Sequence, residues 1–185
     1  MRLMIKKRNG QKKGSLVAAE NKKRGRIKRT REIYSLAQKE LGLLSHRDKF
    51  ILRIALYAAE GDKKDRKVGF TNSDPKIIYF MMKWFRIYTK IQMSKMRRAI
   101  WLHEDLDEKN AKIFWSRLTG IPLDQFHKTY VAKVKNNSRK IRKNIHNYGI
   151  FAIRFTSASV HRKIMGWIYA LFNDKIDSYS VVAQW

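Results

Sequence analysis

The stretch that decides the fold is Phe50-Ile51-Leu52-Arg53-Ile54-Ala55-Leu56-Tyr57-Ala58-Ala59-Glu60-Gly61. It predicts a helix that is apolar almost all round and therefore buried on most of its sides. Ile51, Ala55 and Ala59 lie four residues apart and form a narrow stripe, along which two helices can approach closely. Glu60 closes the apolar run, and Gly61 favours a helix stop.

On both sides of this helix the pattern alternates between strands and helices. Alternation of apolar and polar residues predicts strands over residues 67–72, 96–103, 126–134 and 150–156. Helical spacing predicts helices from Ser73-Asp74-Pro75 through Phe85, and over residues 107–118 and 157–172. Because the strands and helices mix without a strict βαβ repeat, the predicted class is α+β.

The charge balance points to a polyanionic partner. The chain has 42 Lys and Arg against 15 Asp and Glu, a formal net charge of +27. So large an excess repels itself unless a polyanion neutralises it, which favours nucleic acid first and an anionic membrane surface second.

The composition also excludes several kinds of site. There is no cysteine, so disulfides, thiolate zinc sites and cysteine nucleophiles are excluded. The apolar runs are short and broken by charge, which predicts no membrane span and no signal peptide. A cytoplasmic protein is the default expectation.

The first part of the chain is predicted to be a basic arm. Residues 1–32 hold 13 basic residues and two acids. We expect nucleic-acid contact from this arm, and the alternative is a solubilising tail without specific contacts. Ile33, Leu36, Ala37 and Leu41 predict a short amphipathic helix after it. The predicted organisation is an arm with this helix over residues 1–44, a domain over 45–175 and a tail over 176–185.

Four segments resemble the LAGLIDADG homing endonuclease family of the single-motif type. Ile54-Ala55-Leu56-Tyr57-Ala58-Ala59-Glu60-Gly61 is similar to the signature helix, and the segment from Lys67 to Pro75 is similar to the strand and helix start that follow it. The segments from Tyr148 and from Arg162 to Ile168 are similar to the last strand and helix. The resemblance covers residues 46–173, and it departs from the family at Glu60 and Ala55, where the family more usually has aspartate and glycine.

The resemblance implies a fold and an activity. The fold is an antiparallel four-stranded sheet with helices packed on one face. The activity is sequence-specific binding of double-stranded DNA by a homodimer, formed through Ile51, Ala55 and Ala59, with phosphodiester cleavage that depends on Mg²⁺ (or Mn²⁺). Glu60 is the implied catalytic residue and metal ligand, and the backbone carbonyl of Ala59 joins the coordination. A carboxylate suits this chemistry because Mg²⁺ prefers oxygen ligands and activates water.

The predicted DNA contacts follow from strand alternation and charge. In each strand the polar residues alternate with apolar ones such as Val68 and Phe70, and the polar side is expected in the major groove. For the third strand the pattern assigns no face, because Lys128 and Lys133 point to different sides. The expected contacts are Lys67, Thr71, Arg97, Trp101, His103 and Arg154 from the strands, with Arg139, Lys140, Arg142 and Lys143 of a basic loop contacting phosphates.

Two other functions remain open at this level. One is a DNA-binding transcriptional regulator on the same fold that does not cut. The other is an RNA-binding protein, such as a splicing helper or a ribosome-associated factor. The strands lack the usual aromatic RNA-binding motifs, which weighs weakly against RNA.

Overall fold

The computed structural model describes residues 2–64, 66–126, 129–132 and 146–173, with side chains from residue 13 onward. The chain divides into two compact units, Met1–Ser45 and His46–Trp185. The predicted tail over residues 176–185 lies outside the described residues.

The first unit is one helix, α1 (Arg2–Leu41), of 40 residues. From the sequence we expect a short helix over residues 32–43 and, before it, an arm that is helical only in part and only when bound, whereas one helix runs through both segments. Lys, Arg, Gln, Glu, Ala and Leu are all good helix formers, and no proline interrupts the segment. The basic arm is therefore helical throughout, up to Gly42, which takes the left-handed conformation (φ 63°) that suits a helix end.

The second unit mixes strands with helices. Its main elements are α2 (His46–Glu60), β1 (Gly61–Asp62), β2 (Lys67–Asn72), α3 (Pro75–Trp84), β3 (Arg97–His103), α4 (Glu108–Thr119), β4 (Tyr130–Ala132), β5 (Ile150–Thr156) and α5 (Ala158–Phe172). A π-helical segment, Phe85–Thr89, extends α3. The α+β class predicted from the sequence is confirmed.

Side-chain caps begin three of the helices, and the cap of α3 is the one that the sequence predicted. The Asp74 side chain accepts a hydrogen bond from the Lys76 N–H, and Pro75 occupies the first turn of α3. Asp107 caps α4 and Ser157 caps α5 in the same way. These side chains satisfy backbone donors that the first helical turn leaves without partners.

Over the described residues, the sheet has five strands in the order β1-β2-β5-β3-β4. The pairs β1–β2, β2–β5 and β5–β3 are antiparallel, whereas the pair β3–β4 is parallel. The expected sheet of four antiparallel strands is therefore wrong in number and in one pairing. Helix α4 lies between β3 and β4, and a crossover of this length returns the chain in the parallel direction. Strand β1 has only two residues, too few for a visible alternation.

The register assigns each strand residue to one of two faces. One face is the core face, and its buried residues are Val68, Phe70, Arg98, Ile100, Leu102, Phe151, Ile153 and Phe155. Helices α2 to α5 supply the rest of this core, including Tyr57, Trp84, Trp115 and Ile164. Alternation over residues 150–156 predicts Phe151, Ile153 and Phe155 on the buried side of their strand, and all three are buried on the core face.

Helix α2 is less enclosed than its composition suggests. Arg53, Ile54 and Tyr57 are buried, but Leu52 is 43% exposed and Ala59 is exposed. The expectation of burial on most sides is wrong for the single chain, because α3 and α5 cover α2 from one side. Across the described residues, every helix is too short or too polar to cross a membrane.

Candidate nucleic-acid interface

The face of the sheet opposite the core is called the open face here. It carries residues that alternate with the core residues along each strand. Its members are Asp62, Lys67, Gly69, Thr71, Arg97, Ala99, Trp101, His103, Tyr130, Ala132, Ile150, Ala152, Arg154 and Thr156. All six predicted strand contacts, from Lys67 to Arg154, belong to this set. Their role in DNA contact stays a prediction, and Arg139, Lys140, Arg142 and Lys143 lie outside the described residues.

One end of the open face is a cleft with a strong positive charge. Among the residues that the structure describes, five cationic side chains and one carboxylate line it, together with Val68, Phe155 and Thr156; the charged residues are Lys64, Lys67, Lys95, Arg97, Arg154 and Asp62. An anion in this cleft would relieve the repulsion between neighbouring cations. We refer to it as the cationic cleft.

Gly69 has no side chain to fill the space between its neighbours in the cationic cleft. It lies between Asp62 and Arg154 in the register of the sheet. A Cβ atom at Gly69 would lie 3.1 Å from the Asp62 Cβ and 3.3 Å from the Arg154 Cγ, tighter than ordinary van der Waals contact. The absence of a side chain leaves space between these two charged residues.

The other end of the open face is aromatic. The rings of Trp101 and Tyr130 stack with their centroids 5.3 Å apart and an angle of 14° between their planes. Arg154 Cζ lies 5.7 Å from the centroid of the Trp101 ring. Sequence reasoning missed Tyr130, and the signal that identifies it is the parallel pairing of Tyr130 with Trp101.

Not every arginine of the strands and helices faces solvent. Arg98 is 1% exposed on the core face, where its Nη1 donates to the Met96 carbonyl at 3.0 Å and to the Gln125 Oε1 at 2.9 Å. Burial, and secondarily the charge of Arg97, lowers the pKa of Arg98 to about 10. Arg53 donates to the Phe80 carbonyl at 3.1 Å and its guanidinium lies 4.0 Å from the Phe80 ring centroid. Both guanidinium groups donate to backbone carbonyls away from the open face, and the Nε and Nη2 atoms of Arg98 find no hydrogen-bond partner among the described residues.

Glu60 is exposed and ends α2 directly before the edge strand β1. Its place is set by Tyr57, which is fully buried one turn earlier. The Tyr57 hydroxyl donates to the Asp62 carbonyl at 2.7 Å and accepts from the Gly69 N–H at 3.3 Å. Burial raises the pKa of Tyr57 well above its ordinary value, so the hydroxyl keeps its proton. Tyr57 thus ties the end of α2 to both β1 and β2.

Gly61 is needed for a reason other than the one expected. It does not adopt a positive φ. A Cβ atom there would lie 2.5 Å from the Tyr57 carbonyl oxygen and 2.6 Å from the Tyr57 ring. The helix therefore changes to a strand within one residue because the chain passes closely over Tyr57.

The acidic residues of one chain do not by themselves make a metal centre. Among the described residues, no group of three or more His, Asp or Glu side chains is close enough to share a metal ion. Glu60 offers one carboxylate and Ala59 one carbonyl, which are oxygen donors of the kind Mg²⁺ prefers. In one chain these are two oxygen donors, fewer than the octahedral coordination of Mg²⁺ requires, so the other ligands would have to come from water or from another molecule.

The stripe predicted for helix pairing lies at the uncovered side of α2. Ile51 and Ala55 are half-buried and Ala59 is exposed. Leu52, next to them on the helix, is also exposed. The stripe is therefore accessible in the single chain.

Comparisons of the chain with protein-family profiles, curated proteins and solved structures found no match.

Proposed function

We propose that this chain binds nucleic acid on the open face of its sheet, as a homodimer of the LAGLIDADG-like type with double-stranded DNA as the ligand. The observation that carries the proposal is the cationic cleft, where Lys67, Arg97 and Arg154 meet on three adjacent strands. Phosphate contacts of this kind supply the sequence-independent part of DNA affinity.

The shape of the site favours a duplex groove. A β-sheet enters the major groove, where all four base pairs present different donors and acceptors. Thr71 and His103 supply further polar groups on the open face, beyond the cleft. They are therefore the candidates for base contact, whereas the cleft residues contact the backbone.

The position of α2 favours a twofold dimer. Helix α2 leads directly into β1, which is the edge strand of the sheet. Pairing of two α2 helices through Ile51, Ala55 and Ala59 would bring two β1 edges to the twofold axis. The two open faces would then form one longer surface, with a copy of Glu60 from each chain near its middle.

Metal-dependent cleavage of the bound DNA is the second part of the proposal, and the exposed place of Glu60 beside the open face favours it. Two copies of Glu60, with the carbonyls of Ala59, would hold Mg²⁺ or Mn²⁺ between the chains. A bound divalent ion supplies charge neutralisation at the scissile phosphate and activation of water. The residues of the cleft would orient the phosphate, and Tyr57 would keep Glu60 in place.

Two charge variants test the binding proposal. Lys67→Ala/Arg97→Ala removes two cations from the cleft, and Lys76→Ala/Lys83→Ala removes two exposed cations from α3, which packs on the core side. Fluorescence anisotropy over a range of salt concentrations gives the slope of log affinity against log salt. We expect the cleft variant to lower this slope by about 0.9 for each phosphate that it no longer neutralises. An equal effect of the α3 variant, or an unchanged slope in the cleft variant, would remove the open face as the binding site.

A further inference from the structure

A row of flat side chains crosses the open face from β5 to β4. Arg154 on β5, Trp101 on β3 and Tyr130 on β4 occupy three neighbouring strands. Trp101 stacks on Tyr130 on one side and contacts the Arg154 guanidinium on the other. We call these three residues the aromatic row.

The accessible end of the aromatic row is Tyr130. This side chain is 52% exposed, whereas Trp101 is half-buried between its neighbours. Ile150, which pairs with Trp101, is also 39% exposed and adds apolar surface beside the row. A tyrosine held flat by a stacked tryptophan presents a rigid aromatic surface at little cost in side-chain entropy.

The aromatic row is continuous with the cationic cleft. Arg154 belongs to both, since it lines the cleft and contacts Trp101. A cationic groove beside aromatic rings is the combination that binds single strands, in which the groove holds phosphates and the rings stack on bases. In a duplex, neighbouring base pairs cover both faces of each base, and only the edges are open to protein. The stacking surfaces of Trp101 and Tyr130 are therefore unused by a fully paired ligand.

We infer that Tyr130 stacks on an unpaired base while a phosphate farther along the same strand lies in the cationic cleft, so the preferred ligand is a duplex that carries single-stranded nucleotides beside it. This inference rests on nucleic-acid binding by the open face. Because Trp101 and Tyr130 provide stacking surfaces on the strands, the lack of the usual aromatic RNA-binding motifs in the sequence no longer weighs against RNA. Base stacking is common to RNA and DNA, so the chemistry of the site is that of an unpaired nucleotide.

The test compares three ligands of the same sequence: a blunt DNA duplex, the duplex with a single-stranded extension, and the extension alone as DNA or as RNA. A fluorescent purine analogue in the extension reports stacking through quenching. We expect the full-length protein to bind the extended duplex more tightly than the blunt one, with quenching at the unpaired position. Tyr130→Ala should weaken binding of the extended duplex on the order of tenfold and abolish the quenching, with little change for the blunt duplex.

Three variants separate stacking from folding. Tyr130→Phe keeps the ring and should retain both effects, whereas Tyr130→Leu keeps bulk without a flat ring and should lose them. Tyr79→Ala removes an equally exposed tyrosine from α3 and should bind like the parent protein. Equal affinity for blunt and extended duplexes without quenching would overturn this inference while leaving duplex binding through Lys67 and Arg97 intact. Failure to bind any of the ligands would overturn both proposals. Comparison of the DNA and RNA extensions identifies which backbone the cleft prefers.

Discussion

Single residues set the place of Glu60, and Gly61 is the most constrained of them. Gly61→Ala would push a methyl group into the carbonyl and ring of Tyr57. The strain would be relieved by moving Tyr57 away from its hydrogen bonds to the backbone of Asp62 and Gly69. We expect a loss of about 1–3 kcal/mol in the free energy of unfolding, measured by urea denaturation.

A second glycine serves as the control. Gly166 lies in α5, and nothing is within 4 Å of the position of its Cβ. Gly166→Ala should stabilise the protein by about 0.5–1 kcal/mol, because alanine is the better helix former. A Gly61→Ala protein as stable as the parent would show that Tyr57 does not constrain the end of α2.

Glu60 itself is the residue on which cleavage depends in the proposed function. Glu60→Gln keeps the size of the side chain and its capacity to accept hydrogen bonds, but it removes the charge that holds Mg²⁺. We expect cleavage of a randomised duplex library to be abolished. Binding should be unchanged or slightly tighter, because a negative charge near the phosphates is gone.

The matched control for Glu60 is Asp105→Asn, which removes an equal charge from an exposed turn. The Asp105→Asn protein should cut duplex DNA as the parent protein does. Mg²⁺-dependent cutting by a folded Glu60→Gln protein, checked by a thermal melt, would reject the proposed active site. If neither the parent nor the variant cuts any duplex with Mg²⁺ or Mn²⁺, the chain is a binding protein without nuclease activity.

Among the elements, α2 carries the proposed dimer. Ala55→Leu would add three carbon atoms to the stripe where two helices are expected to approach most closely. This overpacking should weaken dimerisation by about 1–3 kcal/mol, as measured by sedimentation equilibrium. Ala170→Leu places the same substitution on an exposed position of α5 and should leave the dimer unchanged. A parent protein that stays monomeric on DNA would contradict the dimer itself.

The elements also show how far the sequence alone leads. Strands β2, β3 and β5 and the faces of Lys67, Arg97 and Arg154 follow from alternation, because each strand has one buried face. The pairing of β3 with β4 does not follow from alternation, and the resemblance implied antiparallel strands throughout, whereas this pair is parallel. Tyr130 was missed for this reason, since its place beside Trp101 is a property of the pairing.

Helix α1 shows a different limit of sequence reasoning. Its charge predicted a partner, and its apolar residues show helical spacing only near its end, so the sequence predicted the helix around Ile33 to Leu41 but not the regular structure before it. Ile33, Leu36 and Leu41 are all more than half exposed, at 56%, 58% and 67%. Helix formation here comes from residue propensity rather than from burial of one side.

At the scale of the whole molecule, the charge of +27 is shared between two units, and each can contribute to binding. Arg26, Lys28, Arg29 and Arg31 of α1 are all exposed. Replacing these four with Gln removes their charge and keeps the helix, because glutamine is nearly as good a helix former as arginine or lysine. We expect the Gln variant to bind all nucleic-acid sequences more weakly and to a similar extent, since contacts to phosphates carry no sequence information.

The salt dependence of binding distinguishes between the two roles considered for α1, which are contact with phosphates and solubilisation of the protein. If it contacts phosphates, the slope of log affinity against log salt falls by about 0.9 for each phosphate that the Gln variant leaves without a cation. Circular dichroism checks that the helix is retained. An unchanged slope in a helical variant would mean that α1 keeps the protein dispersed through its charge and does not touch the ligand. The Gln variant of α1 can also be combined with Lys67→Ala/Arg97→Ala. If the losses of binding free energy in the two variants add up in the combined variant, α1 and the cationic cleft contact different phosphates, because independent sites contribute independently to the free energy of binding.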